Sequence, residues 1–473
     1  MPGLIDSLYI AASALNAQQQ SVEVAGQNLA NVNNSAYSRQ VVVEQAATPV
    51  ETSAGQEGTG VDVVAIQQIR DSMLDNQIQG ENSITSFLQT QQTALQTAQS
   101  DIGEQLASTS STDTDSVGST GGLDSGLSTL FNDFQTLSTD PSSTANRQTV
   151  ISQAQQVAAQ FNQVDQSLSG LKSQLNQSVQ TDVGSANQLL TQIAGLNQQI
   201  MLAQGSSGGT ANDLVDLREK DLESLSNLVN FQPVANSDGS VNVVVGGQLL
   251  VSGSSVQDTL QAYDAGGGQM LVGTSASPGT PLTLTGGSIQ GAIDTRDNAL
   301  TSLQGGLNQL ASQLITQVNA VYTTGYDLNG NTGADLFTGT DASDIGVNAT
   351  LASAPSTFQA AGVSGASGDN QVAVALAQLG SASQSSLGNQ TFSGSYNATI
   401  TDLGTALSNA NSNLSDQQAV QSMLSEQRSS VSGVSLNDEM TNLMTYQQAF
   451  EASAELVNTI NTMLGDLMSA KQS

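Results

Sequence analysis

The sequence predicts a mainly α protein with a β insertion, made of paired terminal coiled-coil helices, a long helical-bundle domain and a small antiparallel β domain. Three observations lead there. The two ends carry matched apolar patterns at helical spacing, long Gln-rich stretches between them keep a helical period, and near Val241 the period changes to two.

At the N-terminal end the apolar positions step by seven through Leu8, Leu15, Val22 and Leu29, with Ala11, Ala25 and Val32 at offset positions. The C-terminal end runs Leu436, Met440, Leu443, Gln447, Phe450, Ala454, Val457, Asn461, Leu464, Met468 in a 4-3 rhythm. That is a coiled-coil seam, narrower than the stripe of a core helix. Asp6 or Ser7 caps the first helix, which runs to about Asn31, and Ser435-Leu-Asn-Asp438 is a capping-box signature for the last. The outer faces are Gln, Asn, Ala and Ser, so a second face is buried at low desolvation cost. The seams are therefore expected to be subunit interfaces, and not only a pair closed on itself.

Between the ends, Tyr37 to Val50 and Val61 to Ile69 read as extended and complete a first segment, 1–69. Helical periodicity covers Arg70 to Leu106, Leu127 to Leu137, Thr144 to Met201 with an interruption near Gly184, and Ala211 to Leu228, giving the first part of a helical domain at 70–230. Residues 108–126 are a Ser/Thr/Asp/Gly loop by composition. Alternating Val241, Val243 and Val245 place an antiparallel β domain at 231–286, and Ile289 to Tyr322 returns as one long helix within 287–324. Residues 325–395 are Gly- and Asn-rich with short strands, and 396–473 hold two helices that separate near Gly433.

Composition removes several function classes. Nine Lys and Arg face 41 Asp and Glu, a net charge of −32, which disfavours nucleic acid and anionic membrane surfaces alike. Without Cys or His there is no Cys or Ser-His nucleophile, no usual zinc site and no His or Cys haem ligand. Neither a secretory signal peptide nor an apolar run of roughly 18 residues for membrane insertion is read. Asp327-Leu-Asn-Gly-Asn331 opens like a calcium loop but has Thr332 and Thr338 where Gly and Glu belong, so an Asx-type turn is expected. No acid pair is nominated for catalysis. No enzyme activity, cofactor or metal is expected.

Two stretches carry a resemblance. Ala25-Gly-Gln-Asn-Leu-Ala-Asn31 with Ser35-Ala-Tyr37-Ser-Arg39-Gln40 resembles the N-terminal signature of bacterial flagellar rod, hook and hook-associated proteins, and Met440 to Ala454 resembles their closing helix. Asn34 and Ala36 stand where small residues or Gly are more usual. Ala211 to Leu222 and Gly287 to Phe337 resemble segments of the FlgK family of flagellar hook-associated proteins in particular. The resemblance implies a structural adaptor at the hook–filament junction, exported through the type III apparatus with a chaperone and without signal cleavage, and located outside the cell on the flagellum. Its implied partners are copies of itself, hook protein and the second hook-associated junction protein. Asn31 and Tyr37 join Leu8, Leu15, Val22, Leu29, Leu436, Met440, Leu443, Phe450, Val457 and Leu464 as expected interface residues. A hook or distal rod subunit is the first alternative. A secreted glycan-active enzyme or an adhesin with flagellar-type ends stands further off.

Overall fold

The computed structural model describes residues 2–34, 36–52, 55–102, 122–207 and 210–472. The chain opens with α1 (Pro2–Ala30). This helix begins ahead of the expected cap, and Ser7 Oγ donates instead to the Gly3 carbonyl within it, at 2.7 Å. Strands β1 (Gln40–Ala46), β2 (Val50–Thr52), β3 (Gly55–Glu57) and β4 (Val61–Gln68) follow. β1 pairs antiparallel with β4, with a bulge at Val43/Glu44, and β2 pairs with β3, so the segment doubles back as a ribbon lying on α1.

Four helices then build the body: α2 (Ser72–Ile102), α3 (Leu123–Thr139), α4 (Thr144–Ser207) and α5 (Asn212–Leu228). The expected loop at 108–126 falls mostly outside the described residues, and its last four begin α3, because Leu123 and Leu127 are both buried. α4 has 64 residues, about 96 Å at 1.5 Å per residue, and runs through the interruption expected near Gly184 because Val183 and Ala186 on either side are buried in the core. It is the spine of the body.

The sheet comprises β5 (Gln232–Ala235), β6 (Val241–Val245), β7 (Gln248–Ser252) and β8 (Ser255–Val256), antiparallel and in sequence order, beside a hairpin of β9 (Leu260–Asp264) and β10 (Met270–Thr274). Val241, Val243 and Val245 face the core, as their alternation requires. Gly246 and Gly247 turn the β6–β7 connection with φ of 54° and 81°, a two-residue hairpin that side chains with a Cβ disfavour. Asparagines on α4 hold the sheets by imitating strand partners. Asn197 donates to the carbonyls of Val241 and Gly253 and accepts from the Val241 N–H. Asn187 exchanges the same pair of bonds with Leu260.

The long helix expected after the sheet is broken into α6 (Gly287–Asp294), a π-helical turn at Thr295–Leu300, and α7 (Thr301–Tyr322). The wide turn lets Arg296 reach inward, where it pairs with Asp297 at 2.7 Å and donates to the Met270 carbonyl of β10. Short elements fill the next stretch: β11 (Phe337–Thr338), β12 (Gly346–Val347), α8 (Ala349–Ser353) and α9 (Gln371–Leu379). Asp327 Oδ1 accepts from the N–H groups of Asn329 and Asn331, each at 2.8 Å, which is the expected Asx-type turn. The chain ends with α10 (Phe392–Ser432) and α11 (Leu436–Gln472). Ser435 caps α11, its Oγ accepting from the Asp438 N–H at 3.4 Å.

One continuous apolar core runs from the second half of α2 through α3, α4, the sheets and α7 to the first half of α10. Phe131 stacks on Phe392 with ring centroids 5.6 Å apart. Leu74, Ile78 and Leu424 make a separate small cluster where α2 and α10 meet. Neither cluster takes a residue from α1 or α11.

Candidate functional site: the terminal helix pair and its polar joint

α1 packs along α11 in the most extensive helix pair of the described residues. Asn28, in the last turn of α1, touches Glu439, in the first turn of α11. A long pairing that starts from those two ends runs antiparallel. Small residues make close approach possible on α1, where Ala11, Ala17, Ser21, Val24, Ala25 and Asn28 are buried between α11 and the β1–β4 ribbon.

The structure places the expected interface residues in two groups. Leu8, Leu15, Val22, Leu29, Asn31 and Tyr37, with Leu443, Phe450, Val457 and Leu464, are half-buried within the single chain. Leu436 and Met440 are exposed, at 47% and 48%. On α11 the expected rhythm survives with one half displaced by a residue. Glu439 and Ile460 are buried and Tyr446 and Ser453 half-buried, while Met440, Gln447 and Asn461, where the apolar pattern put the seam, are exposed.

Beneath the pair lies a joint made almost wholly of polar groups. Asn28 donates to the Gln40 carbonyl at 2.9 Å and to the Glu439 carboxylate at 3.1 Å, and accepts from the Tyr37 hydroxyl and the Gln40 N–H. The Gln40 side chain continues to Asp213 and Asn212 at the start of α5. Arg39 N–H donates to the Ser432 carbonyl at the end of α10. Arg70, between β4 and α2, pairs with Asp216 at 3.1 Å and with Asp75 and Glu219 at 3.6 Å each. It also donates to Ser38 Oγ, while the Ser38 N–H donates to Asp216. Arg428 of α10 pairs with Glu223 of α5.

Three carboxylates thus share Arg70, with Arg218 beside Glu219 at 3.6 Å. Burial raises the Asp216 carboxyl to about 6 against the opposing pull of Arg70 and the Ser38 bonds. Burial likewise raises Asp75 and Glu219, again against Arg70. It raises the Tyr37 hydroxyl too, helped by Asp213, Asp216 and Glu439. Buried ion pairs of this kind contribute little net stability, but removing one partner is strongly destabilising because it leaves a buried charge uncompensated. Ribbon, α2, α5, α10 and both terminal helices meet here in a fixed arrangement. A cleft of 420 Å³ opens beside the joint, lined by the 31–39 loop, Arg70, α5 and the α10–α11 break. Apolar periodicity carries no signal for any of these polar residues. The sequence does present Asn28, Tyr37, Arg39 and Gln40 in one motif, but not what they bond. Among the described residues no group of acids is arranged to hold a metal, and no described helix is long and apolar enough to cross a membrane.

Comparison with known proteins gives the class first. Residues 425–470 match the flagellar basal body rod FlgEFG protein C-terminal profile, which likens the closing helix to those of the flagellar axial class. Residues 113–337 match the flagellar hook-associated protein FlgK helical domain. Flagellar hook-associated protein 1 of Salmonella typhimurium is 26% identical, over 98% of this chain and 99% of its own length. The Bacillus subtilis protein of that name is 27% identical, over 97% and 96%. The flagellar hook junction protein FlgK from Burkholderia pseudomallei shares the fold, with a TM-score of 0.62 at 19% identity, covering 76% of this chain and all of that one. Over nearly its whole length the chain is similar to flagellar hook-associated protein 1, and its middle matches the FlgK helical domain.

Proposed function

We propose that the chain is a structural adaptor subunit at the hook–filament junction of the bacterial flagellum. End-to-end correspondence with curated hook-associated proteins 1 carries this reading. The geometry supports it. The terminal pair stays outside the apolar core, and α11 keeps Leu436, Met440, Met444 and Met463 exposed along its length. Isolated amphipathic helices gain little in water, so such a face is completed by neighbours. Those neighbours are copies of this chain, with hook protein on one side and the second hook-associated junction protein on the other. Leu8, Leu15, Val22, Leu29, Asn31, Tyr37, Leu436, Met440, Leu443, Phe450, Val457 and Leu464 are the proposed interface residues. Delivery is through the type III export apparatus, with an export chaperone and no cleaved signal, to a place outside the cell. The division expected from sequence gives 1–69 as an N-terminal axial helix and extended segment, 70–230 and 287–324 as the helical domain, 231–286 as the β domain, 325–395 as a Gly/Asn-rich irregular segment with short strands, and 396–473 as C-terminal helices of which the last pairs with the N-terminal one. The role is geometric and involves no catalysis.

Deleting the gene in its own bacterium tests this. Electron microscopy is expected to show bare hooks, with flagellin lost to the medium. Absent hooks would move the protein down to hook or rod, and intact filaments would refute the junction role.

A further inference from the structure

The chain has nine cationic residues, and the structure uses most of them internally. Arg70, Arg218, Arg296 and Arg428 hold carboxylates. Arg147 donates to the Pro141 and Phe358 carbonyls, and Lys172 to Thr301 and Gln304. Among the cations whose side chains are described, Arg39 and Lys220 enter no ion pair or side-chain hydrogen bond, and Lys220 has only the weak attraction of its neighbour Asp221. Both line the cleft beside the joint. Lys220 is also the only exposed one of that set. In a chain with 41 acidic residues, this cleft is where an incoming carboxylate finds cations that hold no ion pair.

The matching acids lie on α11. Met440, Met444, Glu451 and Glu455 fall within about 60° of one another at 100° per residue, making one exposed strip. α1 contains no Lys or Arg, and neither Glu451 nor Glu455 has an ion-pair partner among the described residues. Glu455 is 17 residues beyond Asp438 at the cleft, about 26 Å along the helix. An α11 therefore cannot place its own glutamates in its own cleft. A second copy displaced along the axis can.

We infer that the cleft carrying Lys220 and Arg39 receives the Glu451/Glu455 strip of α11 from a second copy of this chain. The inference rests on the self-assembly proposed above and specifies one contact within it. Cleft and strip are different surfaces, so the contact is head-to-tail and propagates around an axis, where a two-fold contact would stop at a dimer. Charge complementarity at an exposed contact sets orientation and encounter more than raw affinity.

The test is charge reversal in the deletion strain, using the full chain. Lys220→Glu is expected to lower the fraction of hooks that bear filaments by about tenfold, while the exported chain still appears in the medium. Glu451→Lys with Glu455→Lys is expected to do the same. The triple variant, reversed on both faces, is expected to recover most filaments. Normal assembly by Lys220→Glu would overturn the inference. So would a triple variant as defective as its parents, since that assigns the cleft to a different chain. Filaments on the uncomplemented deletion strain would remove the junction role itself, a failure visible before any variant is compared.

Discussion

Asn28 uses the full capacity of its amide, two donated bonds and two accepted, to tie α1 to the ribbon, Tyr37 and α11. Asn28→Ala leaves the buried Gln40 backbone groups and the Glu439 carboxylate short of partners. The expected loss is about 2–4 kcal/mol, read as a lower midpoint in chemical denaturation of the region reporting on the terminal pair. An unchanged midpoint would mean water replaces the amide. Asp216 behaves differently, because its ionised form is the disfavoured one. Its folded pKa, about 6, lies above the 3.8 of the unfolded chain. Between those values the folded state binds the extra proton, so this group adds stability as pH falls through 6, fully so below 3.8. Asp216→Asn is expected to remove on the order of 2 kcal/mol from the change in stability between pH 7 and pH 4. Melting curves across that range check it, and parallel wild-type and variant profiles would refute it.

The terminal helices show how far periodicity reaches. Residues 436–472 read as a 4-3 seam, and Leu443, Phe450, Val457 and Leu464 do turn inward to half-burial. The other half of the seam was not legible, because a hydrophobic pattern selects Met440 over Glu439. Glu439 is buried through a hydrogen bond from a residue 411 positions away. The π-helical turn was equally invisible, since Thr295 to Leu300 is ordinary helical sequence and only the inward pull on Arg296 distinguishes it. The β6–β7 hairpin was legible because glycines and alternating valines are local signals. If the terminal pair is an element separate from the body, Leu443→Asp should raise amide exchange across α1 and α11 while α3 and α4 keep their protection. Hydrogen-exchange mass spectrometry decides this, and loss of protection in α4 would show the two to be one cooperative unit.

Across the whole molecule, three kinds of packing succeed one another. The body holds together by a continuous aliphatic and aromatic core, the joint by ion pairs and amides around Arg70 and Asn28, and the terminal pair by small residues at close approach. The first of these is written in periodicity. The second depends on partners far apart in the chain. That distance has a temporal side. Bringing Asn28 to Glu439 closes a loop of nearly the entire polypeptide, among the most entropically costly and slowest contacts a chain makes. Much of the body pairs elements closer in sequence, α3 with α4 and α4 with α5 among them, so closure of the two ends is expected to come late in folding. Closure of the ends then requires both terminal segments of one chain to be present and folded against each other. A copy cut short ahead of α11 is expected to keep the apolar core of its body and still lack the partner that covers α1.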